Sequence, residues 1–252
     1  MESNHESNYK ILANVIEKRN IDIIALQEIM QPINGATMCN DCLGIPLKKG
    51  NYASLIMDEL NKNGIKYNLL WLGFKKSYNS FDEGLAIICK GHIEETRAIT
   101  LTPFDDYNNW KTRKALGAKI DGKWYICVHM GWWDDKEAPF EQQFCSLVNE
   151  LPVNEEIYLL GDFNLEENQK NEGYDLVISK GFYDTYRLAS DKDNGITAHS
   201  QIDGWNKEKK QRQMRIDYIF TNKMKKIQSS FTIFNGENEE IISDHFGIIV
   251  TL

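Results

Sequence analysis

Apolar runs of strand length recur through this chain, some separated by helix-length segments and others only by turns. They are GLAIICK (Gly84–Lys90), LGAKI (Leu116–Ile120), WYICVH (Trp124–His129), EIYLLGD (Glu156–Asp162), RIDYIF (Arg215–Phe220) and FGIIVTL (Phe246–Leu252). Shorter strand signals lie at Ile21–Leu26, which ends in Gln27 and Glu28, and at Tyr67–Leu72. Some runs are continuously apolar, as strands covered on both faces require, and others alternate. Helical spacing places Ile11, Leu12, Val15 and Ile16 on one face of Tyr9–Arg19, and Tyr52, Leu55, Ile56 and Leu60 on one face of Tyr52–Asn61. The latter stops at Asn63 and Gly64, a usual helix terminator. Further helices are expected at Ala138–Glu150 and Gly173–Ser179, and Ile120-Asp-Gly-Lys-Trp124 carries a hairpin turn. The pattern predicts an α/β protein of two mixed sheets packed face to face, with helices outside. At 252 residues and 42% hydrophobic content, one domain spanning residues 1–252 is expected, without repeats or linkers.

With 29 Lys+Arg against 37 Asp+Glu, the net charge of −8 repels polyanions and makes nucleic acid a disfavoured partner. No apolar run approaches the about 20 residues that span a bilayer. The start MESNHESNYK lacks the apolar core of a secretory signal, so no membrane association and a cytoplasmic location are expected. An odd number of cysteines, five, fits a reducing compartment. Cys39 and Cys42 form one CxxC without the second pair that a structural zinc site needs, and read as two thiols in a polar loop. Nothing fixes the oligomeric state.

Several of these strands end in groups that a core does not need: Glu28, His129, Asp162 with Asn164, and Asp217, while Asp244 and His245 precede the last run. One acid at a strand end is commonly a turn former or helix cap. A set of them, with two histidines, marks a ligand site, since such sites sit at strand ends in layered α/β folds. The chemistry fits phosphate ester hydrolysis. Carboxylates are hard oxygen ligands for Mg²⁺, an Asp–Asn pair can hold an attacking water, and a histidine steadied by an acid can balance phosphoryl charge or protonate a leaving group.

The ordered motifs LQE (Leu26–Glu28), GDFN (Gly161–Asn164), RIDYIF and SDH (Ser243–His245) resemble the signature of the endonuclease/exonuclease/phosphatase superfamily. The resemblance implies a four-layered α/β/β/α sandwich and hydrolysis dependent on Mg²⁺, with Mn²⁺ as a substitute. It implies that Glu28 is a metal ligand with Asp244 near the metal, that Asp162 and Asn164 hold the water, that His245 contacts phosphate and that Asp217 pairs with His245. His129 matches the extra histidine of the phosphatase and sphingomyelinase branches.

EGLAII (Glu83–Ile88), NWKTRK (Asn109–Lys114), HMGWWDD, APFEQQF, GYDLVISKGFYDTY (Gly173–Tyr186) and ISDHFG (Ile242–Gly247) resemble the bacterial maltose 6'-phosphate phosphatases. A small-molecule sugar phosphate is then the expected partner. Trp132 or Trp133 could stack on a sugar ring or be packing, and Asp134 and Asp135 could accept sugar hydroxyls or be turn residues. Lys111, Arg113 and Lys114 could hold a phosphate dianion or be a solvated loop. A second basic stretch, Trp205–Arg215, reads as a solvated loop rather than a nucleic-acid site.

The family pattern begins with a buried strand ending in asparagine, about thirty residues before its LQE, whereas 25 residues precede Leu26 here and Asn4 follows no apolar strand. The expectation is a start site misplaced relative to a longer protein, or a truncated variant with a gap in one sheet. Two other readings therefore stand beside the sugar phosphatase: a phosphodiesterase of the same fold, nuclease or sphingomyelinase-like, and a non-catalytic sugar-phosphate binder.

Overall fold

The computed structural model describes residues 2–40, 42–62, 64, 66–199 and 213–252, with the backbone alone for residues 2–6. Its ten principal strands are β1 (Ile23–Pro32), β2 (Asn68–Ser77), β3 (Phe81–Cys89), β4 (Ile93–Thr100), β5 (Lys114–Ile120), β6 (Lys123–His129), β7 (Glu156–Asp162), β8 (Asp217–Thr221), β9 (Ile227–Ile233) and β10 (Gly247–Thr251). The helices are α1 (Glu2–Lys18), α2 (Tyr52–Lys62), α3 (Phe140–Glu150), α4 (Gly173–Ser179) and the short α5 (Thr185–Leu188).

Two sheets form the centre. One runs β1-β3-β2 with the two-residue strand Leu43–Gly44 parallel to β2 at its edge. The other runs Tyr183–Asp184, β8, β7, β6, β5, β4, in which β6 and β7 are parallel and the rest antiparallel. Leu72, Leu85, Ile87 and Cys89 of the first sheet pack against Leu116, Ala118, Ile120 and Cys127 of the second, forming the layer between them. On the outer face of the first sheet, Leu12, Val15 and Ile16 of α1 and Ile56 and Leu60 of α2 cover Trp71, Ala86 and Ile88. On the outer face of the second, Phe140, Phe144 and Leu147 of α3 and Val177 of α4 cover Ile126, Leu159 and Phe220. This is the α/β/β/α sandwich expected. Burial of apolar surface at roughly 25 cal/mol per Å² on three stacked interfaces holds it together.

A three-stranded sheet, Ala189–Lys192, β9 and β10, extends the sandwich. β10 lies at its edge, and β1 lies at the edge of the four-stranded sheet. The α1 helix closes over both: its apolar face shares one core with Ile29, Ile233 and Phe234, and Asn8 donates to the Ile242 carbonyl at 2.8 Å. Asn4 lies in this helix rather than at a strand end.

Two strands escape the apolar-run pattern. β4 (IEETRAIT) is an exposed edge with polar residues, and β9 (IQSSFTI) has a polar centre. β1 runs six residues past its expected end, to Pro32, because pairing with β3 continues beyond a register shift between Leu26 and Ile29. Among the described residues no helix is long and apolar enough to cross a membrane. None of the cysteines is in a disulfide, and Cys42 Sγ lies 3.7 Å from the Cys39 carbonyl.

Close approach of β1, β2 and β3 depends on Gly84, where a Cβ would stand 2.0 Å from the Leu72 carbonyl oxygen and 2.8 Å from the Gly73 Cα. Both are backbone atoms of a paired strand and cannot swing aside. Gly84→Ala is expected to lower stability by at least about 2 kcal/mol in urea unfolding, as overpacking of a rigid core does. An unchanged unfolding midpoint would refute this account of the sheet.

Candidate active site

Three central strands bring their last or first residue to the same level. Parallel pairing of β6 with β7 sets His129 opposite Asp162, and antiparallel pairing of β7 with β8 sets Asp162 opposite Asp217. Paired residues project to the same face of a sheet, about 4.8 Å apart across strands, so the row forms one surface at the end of the inter-sheet layer. The turn after β7 is built for this. Gly161 has φ +139°, and a Cβ there would lie 2.1 Å from the Val128 carbonyl oxygen. Phe163 is buried in the core. Asn164 takes a left-handed φ of 49°, which asparagine tolerates better than most residues, and donates its backbone N–H and Nδ2 to the Asp162 carboxylate at 2.8 and 3.1 Å. Its Nδ2 also reaches the Met130 carbonyl at 3.0 Å, tying the turn to the end of β6.

The other sheet supplies Glu28 from the irregular step in β1, where its φ of 53° is an unusual conformation for a glutamate. The two sheets are joined beside it, Gln27 Nε2 lying 3.1 Å from Cys127 Sγ. Glu83, from β3, completes a cluster with Glu28 and His129 whose ligand atoms all lie within 4.8 Å of one another. Asp162, Asp217 and His245 form a second such cluster. His129 joins the two, its Nδ1 3.8 Å from Glu28 Oε1 and its Nε2 3.4 Å from Asp162 Oδ2.

Protonation differs sharply between the two histidines. Burial, and then the positive charges of Arg113 and Lys75, hold His129 well below its ordinary pKa, so its imidazole is neutral at pH 7. Burial also disfavours the charged form of His245, but its bond to Asp217, with Nδ1 at 3.0 Å, and the charges of Asp217, Asp162 and Asp244 outweigh that and push its pKa up to about 10. Burial and the Asp217 charge raise Asp162 above the usual carboxylate range. Glu28 is raised by desolvation, then by Glu83 and Asp244, with Lys75 and His245 opposing.

Opposite these acids stand two buried cations. Lys75 Nζ pairs with Glu83 Oε1 at 2.9 Å, and its pKa is lowered by burial and by the charge of Arg113. Arg113 is 4% exposed, and its Nε finds no hydrogen-bond partner among the described residues. The charges of Glu83, Asp162 and Glu28 act on it, which places it in the wall of the same site.

The structure thus brings Glu28, His129, Asp162, Asn164, Asp217 and His245 together, with Arg113 in the wall; Asp244 is exposed and in neither cluster, though its charge acts on Glu28 and His245. Lys111 turns instead to Asp135 and Glu137, both at 2.9 Å, and Lys114 to Asp105. Trp132 lines a small depression with Trp110, Lys111, Arg113 and Asp135. Trp133 is half-buried against the core, its ring centroid 6.4 Å from that of Phe140. Residues 205–212 of the second basic stretch lie outside the described residues. Arg215 of that stretch is internal, bonded to Asp184 at 2.7 Å and to Glu167, and stacked on Tyr186 and Tyr218. Glu83 and Lys75 escape sequence reading; the available signal was an acid set directly ahead of a buried run in EGLAII.

Hard carboxylate oxygens with imidazole nitrogens, two of the carboxyls raised in pKa by burial and then by neighbouring carboxylates, form a donor set that fits a divalent cation such as Mg²⁺ or Mn²⁺.

The His245–Asp217 pair has a stability signature. A histidine whose folded pKa is raised above 6.5 contributes stability fully below that pH and loses it as pH rises toward about 10. Asp217→Asn is expected to return the His245 titration toward 6.5 in NMR spectra and to remove this alkaline loss. An unshifted titration would show that Asp217 does not set it.

Comparison with known proteins agrees with this geometry. The profile of the Endonuclease/Exonuclease/phosphatase family matches residues 4–245. Among solved structures, an endonuclease/exonuclease/phosphatase family protein from Leptotrichia buccalis is 30% identical, with a TM-score of 0.89 over 100% of this chain and 94% of that one. An endonuclease/exonuclease/phosphatase from Bacteroides vulgatus shares the fold at 16% identity, with a TM-score of 0.67 over 97% of this chain and 89% of that one. A mannosyl-6-phosphatase from Bacteroides thetaiotaomicron does so at 18% identity, with a TM-score of 0.65 over 98% and 92%. A search of curated proteins gives no match.

Proposed function

The chain belongs to the endonuclease/exonuclease/phosphatase family, whose members hydrolyse phosphoester bonds, and from that premise we propose that it is a divalent-metal-dependent phosphomonoesterase acting on a phosphorylated disaccharide, maltose 6'-phosphate in particular. The observation that carries the choice of a monoester is the pair of buried cations beside the acid row, Lys75 and Arg113, with an Arg113 Nε that has no partner among the described residues. A terminal phosphate monoester carries one more negative charge than a diester, and a buried guanidinium with a spare donor suits it. The sugar phosphatase among the structural neighbours supports the substrate class.

In this reading Glu28, Glu83 and His129, with Asp244 near them directly or through water, would hold Mg²⁺ or Mn²⁺, which when bound would neutralise phosphate charge and polarise the phosphoryl group. Asp162, fixed by Asn164, orients the attacking water and accepts its proton, a role suited to a carboxyl whose pKa is raised. His245, held cationic by Asp217, faces the phosphoryl oxygens as a fixed positive charge and can give its proton to the leaving alkoxide. Neutral His129 stands between the two carboxylates, its Nδ1 3.8 Å from Glu28 and its Nε2 3.4 Å from Asp162, and links the two halves of the site. Trp132 and Lys111 lie on the side where the sugar would project, next to Arg113, while Trp133 packs behind them on Phe140.

The test is phosphate release from maltose 6'-phosphate and p-nitrophenyl phosphate, set beside bis(p-nitrophenyl) phosphate and plasmid DNA, with Mg²⁺ or Mn²⁺. Monoester turnover is expected to exceed diester turnover, to vanish in EDTA and to fall about 10²–10⁴-fold in Asp162→Ala. Faster cleavage of the diester or of DNA would make the protein a phosphodiesterase. Binding of the sugar phosphate without turnover at any metal concentration would make it a non-catalytic binder.

A further inference from the structure

We propose that Trp110 and Trp132 form a two-ring platform that takes the apolar face of a pyranose ring, and that Arg113 is the wall this platform shares with the phosphate site. The inference rests on the phosphomonoesterase reading for the phosphate and adds the group that recognises the sugar. The two ring centroids are 6.2 Å apart with planes inclined at 60°, so they form a bent surface instead of a closed stack. Trp110 is 55% exposed. A tryptophan left this open on an otherwise anchored loop covers none of the apolar core clusters, and an apolar face in a rim of polar groups is a contact surface.

The loop that carries it is built, not loose. The Trp110 carbonyl accepts from Arg113 Nη1 at 2.8 Å and from Lys75 Nζ at 3.2 Å. Asn109 caps the Lys111 N–H at 3.0 Å, and Thr112 Oγ1 donates to the Asp106 carbonyl at 2.7 Å. Both buried cations of the phosphate site therefore hold the backbone of the exposed ring, which fixes the spacing from phosphate to platform. The facing loop is equally tied down. Gly131 N–H donates to Gln143 Oε1 at 2.9 Å, and the Trp132 carbonyl accepts from Phe140 N–H at 3.0 Å. Trp133 buttresses this loop by packing on Phe140.

Polar groups stand at the rim of the platform in the form that hydroxyls need. Lys111 Nζ bridges Asp135 and Glu137 at 2.9 Å each and lies 5.7 Å from the Trp110 ring centroid. An ammonium has three donors, and these two partners leave one for a sugar oxygen, while the two carboxylates keep lone pairs for sugar hydroxyls. Aromatic faces rimmed by hydroxyl-binding groups suit a hydroxyl-rich ring with one apolar face. Within the phosphatase reading, the ligand is a phosphorylated glycoside whose ring reaches past Arg113.

The experiment combines turnover by the metal-loaded enzyme with a binding readout that needs no turnover. In Trp110→Ala, the ratio of kcat/KM for maltose 6'-phosphate to that for p-nitrophenyl phosphate is expected to fall roughly tenfold, the size of one aromatic contact, with most of the change in KM. Trp110→Phe is expected to restore most of it. Maltose titrated into the wild-type protein is expected to change tryptophan fluorescence saturably, and Trp110→Ala to abolish that saturation. An equal loss for both substrates, or no maltose response in the wild type, would overturn the platform. If the wild type hydrolyses no monoester, the phosphatase reading fails, and the maltose titration then decides the platform alone.

Discussion

Everything in the site depends on the register of three strands. Parallel pairing of β6 with β7 and antiparallel pairing of β7 with β8 set His129, Asp162 and Asp217 side by side. A slip of one residue in either pair would turn one of them to the opposite face of the sheet, into the core beneath α3. The register is held on that side by the Ile126, Leu159 and Phe220 layer. On the other side it is held by the contact of Cys127 with Gln27 and with the Leu26 carbonyl in the opposite sheet. That second contact places the step carrying Glu28 against the row. Packing of the two sheets and assembly of the acid site are thus one event.

Two histidines within one site are given opposite states by simple means. His129 lies among buried cations and has no carboxylate at close hydrogen-bond distance, so desolvation decides and it stays neutral. His245 is less buried and bonded to Asp217, so the ion pair decides and it stays charged to high pH. Lys75 and Arg113 hold the Trp110 loop, and Lys75 Nζ also meets Glu83 of the carboxylate cluster at 2.9 Å, so cations and carboxylates adjoin. An anionic ester and a divalent cation then have separate, adjacent places.

The central strands were legible because burial on both faces demands continuous apolar runs, as in Trp124–Val128 and Ile157–Leu160. β4 and β9 were not, since a half-exposed strand carries polar residues at the same positions a loop would. Glu28, His129, Asp162, Asn164, Asp217, Asp244 and His245 were readable as polar punctuation after or before apolar runs, and the structure brings all but the exposed Asp244 into two adjoining clusters. Glu83 and Lys75 sit opposite each other in paired strands, a relation carried by β2–β3 register and absent from local pattern. Arg113 and Lys111 looked alike in NWKTRK, but the turn that precedes β5 buries Arg113 in the site wall and leaves Lys111 to pair with Asp135. Trp110 was hidden in that same basic motif, because exposure of an aromatic ring is a property of the folded surface alone.

The central claim is that Glu28 and Glu83, with His129 from the facing sheet, form a cation site. Mn²⁺ binding followed by electron paramagnetic resonance tests it without any assumption about substrate. The wild-type protein is expected to sequester Mn²⁺, and Glu28→Gln and Glu83→Gln to weaken binding by roughly tenfold or more each. Undiminished Mn²⁺ binding in both variants would contradict the account.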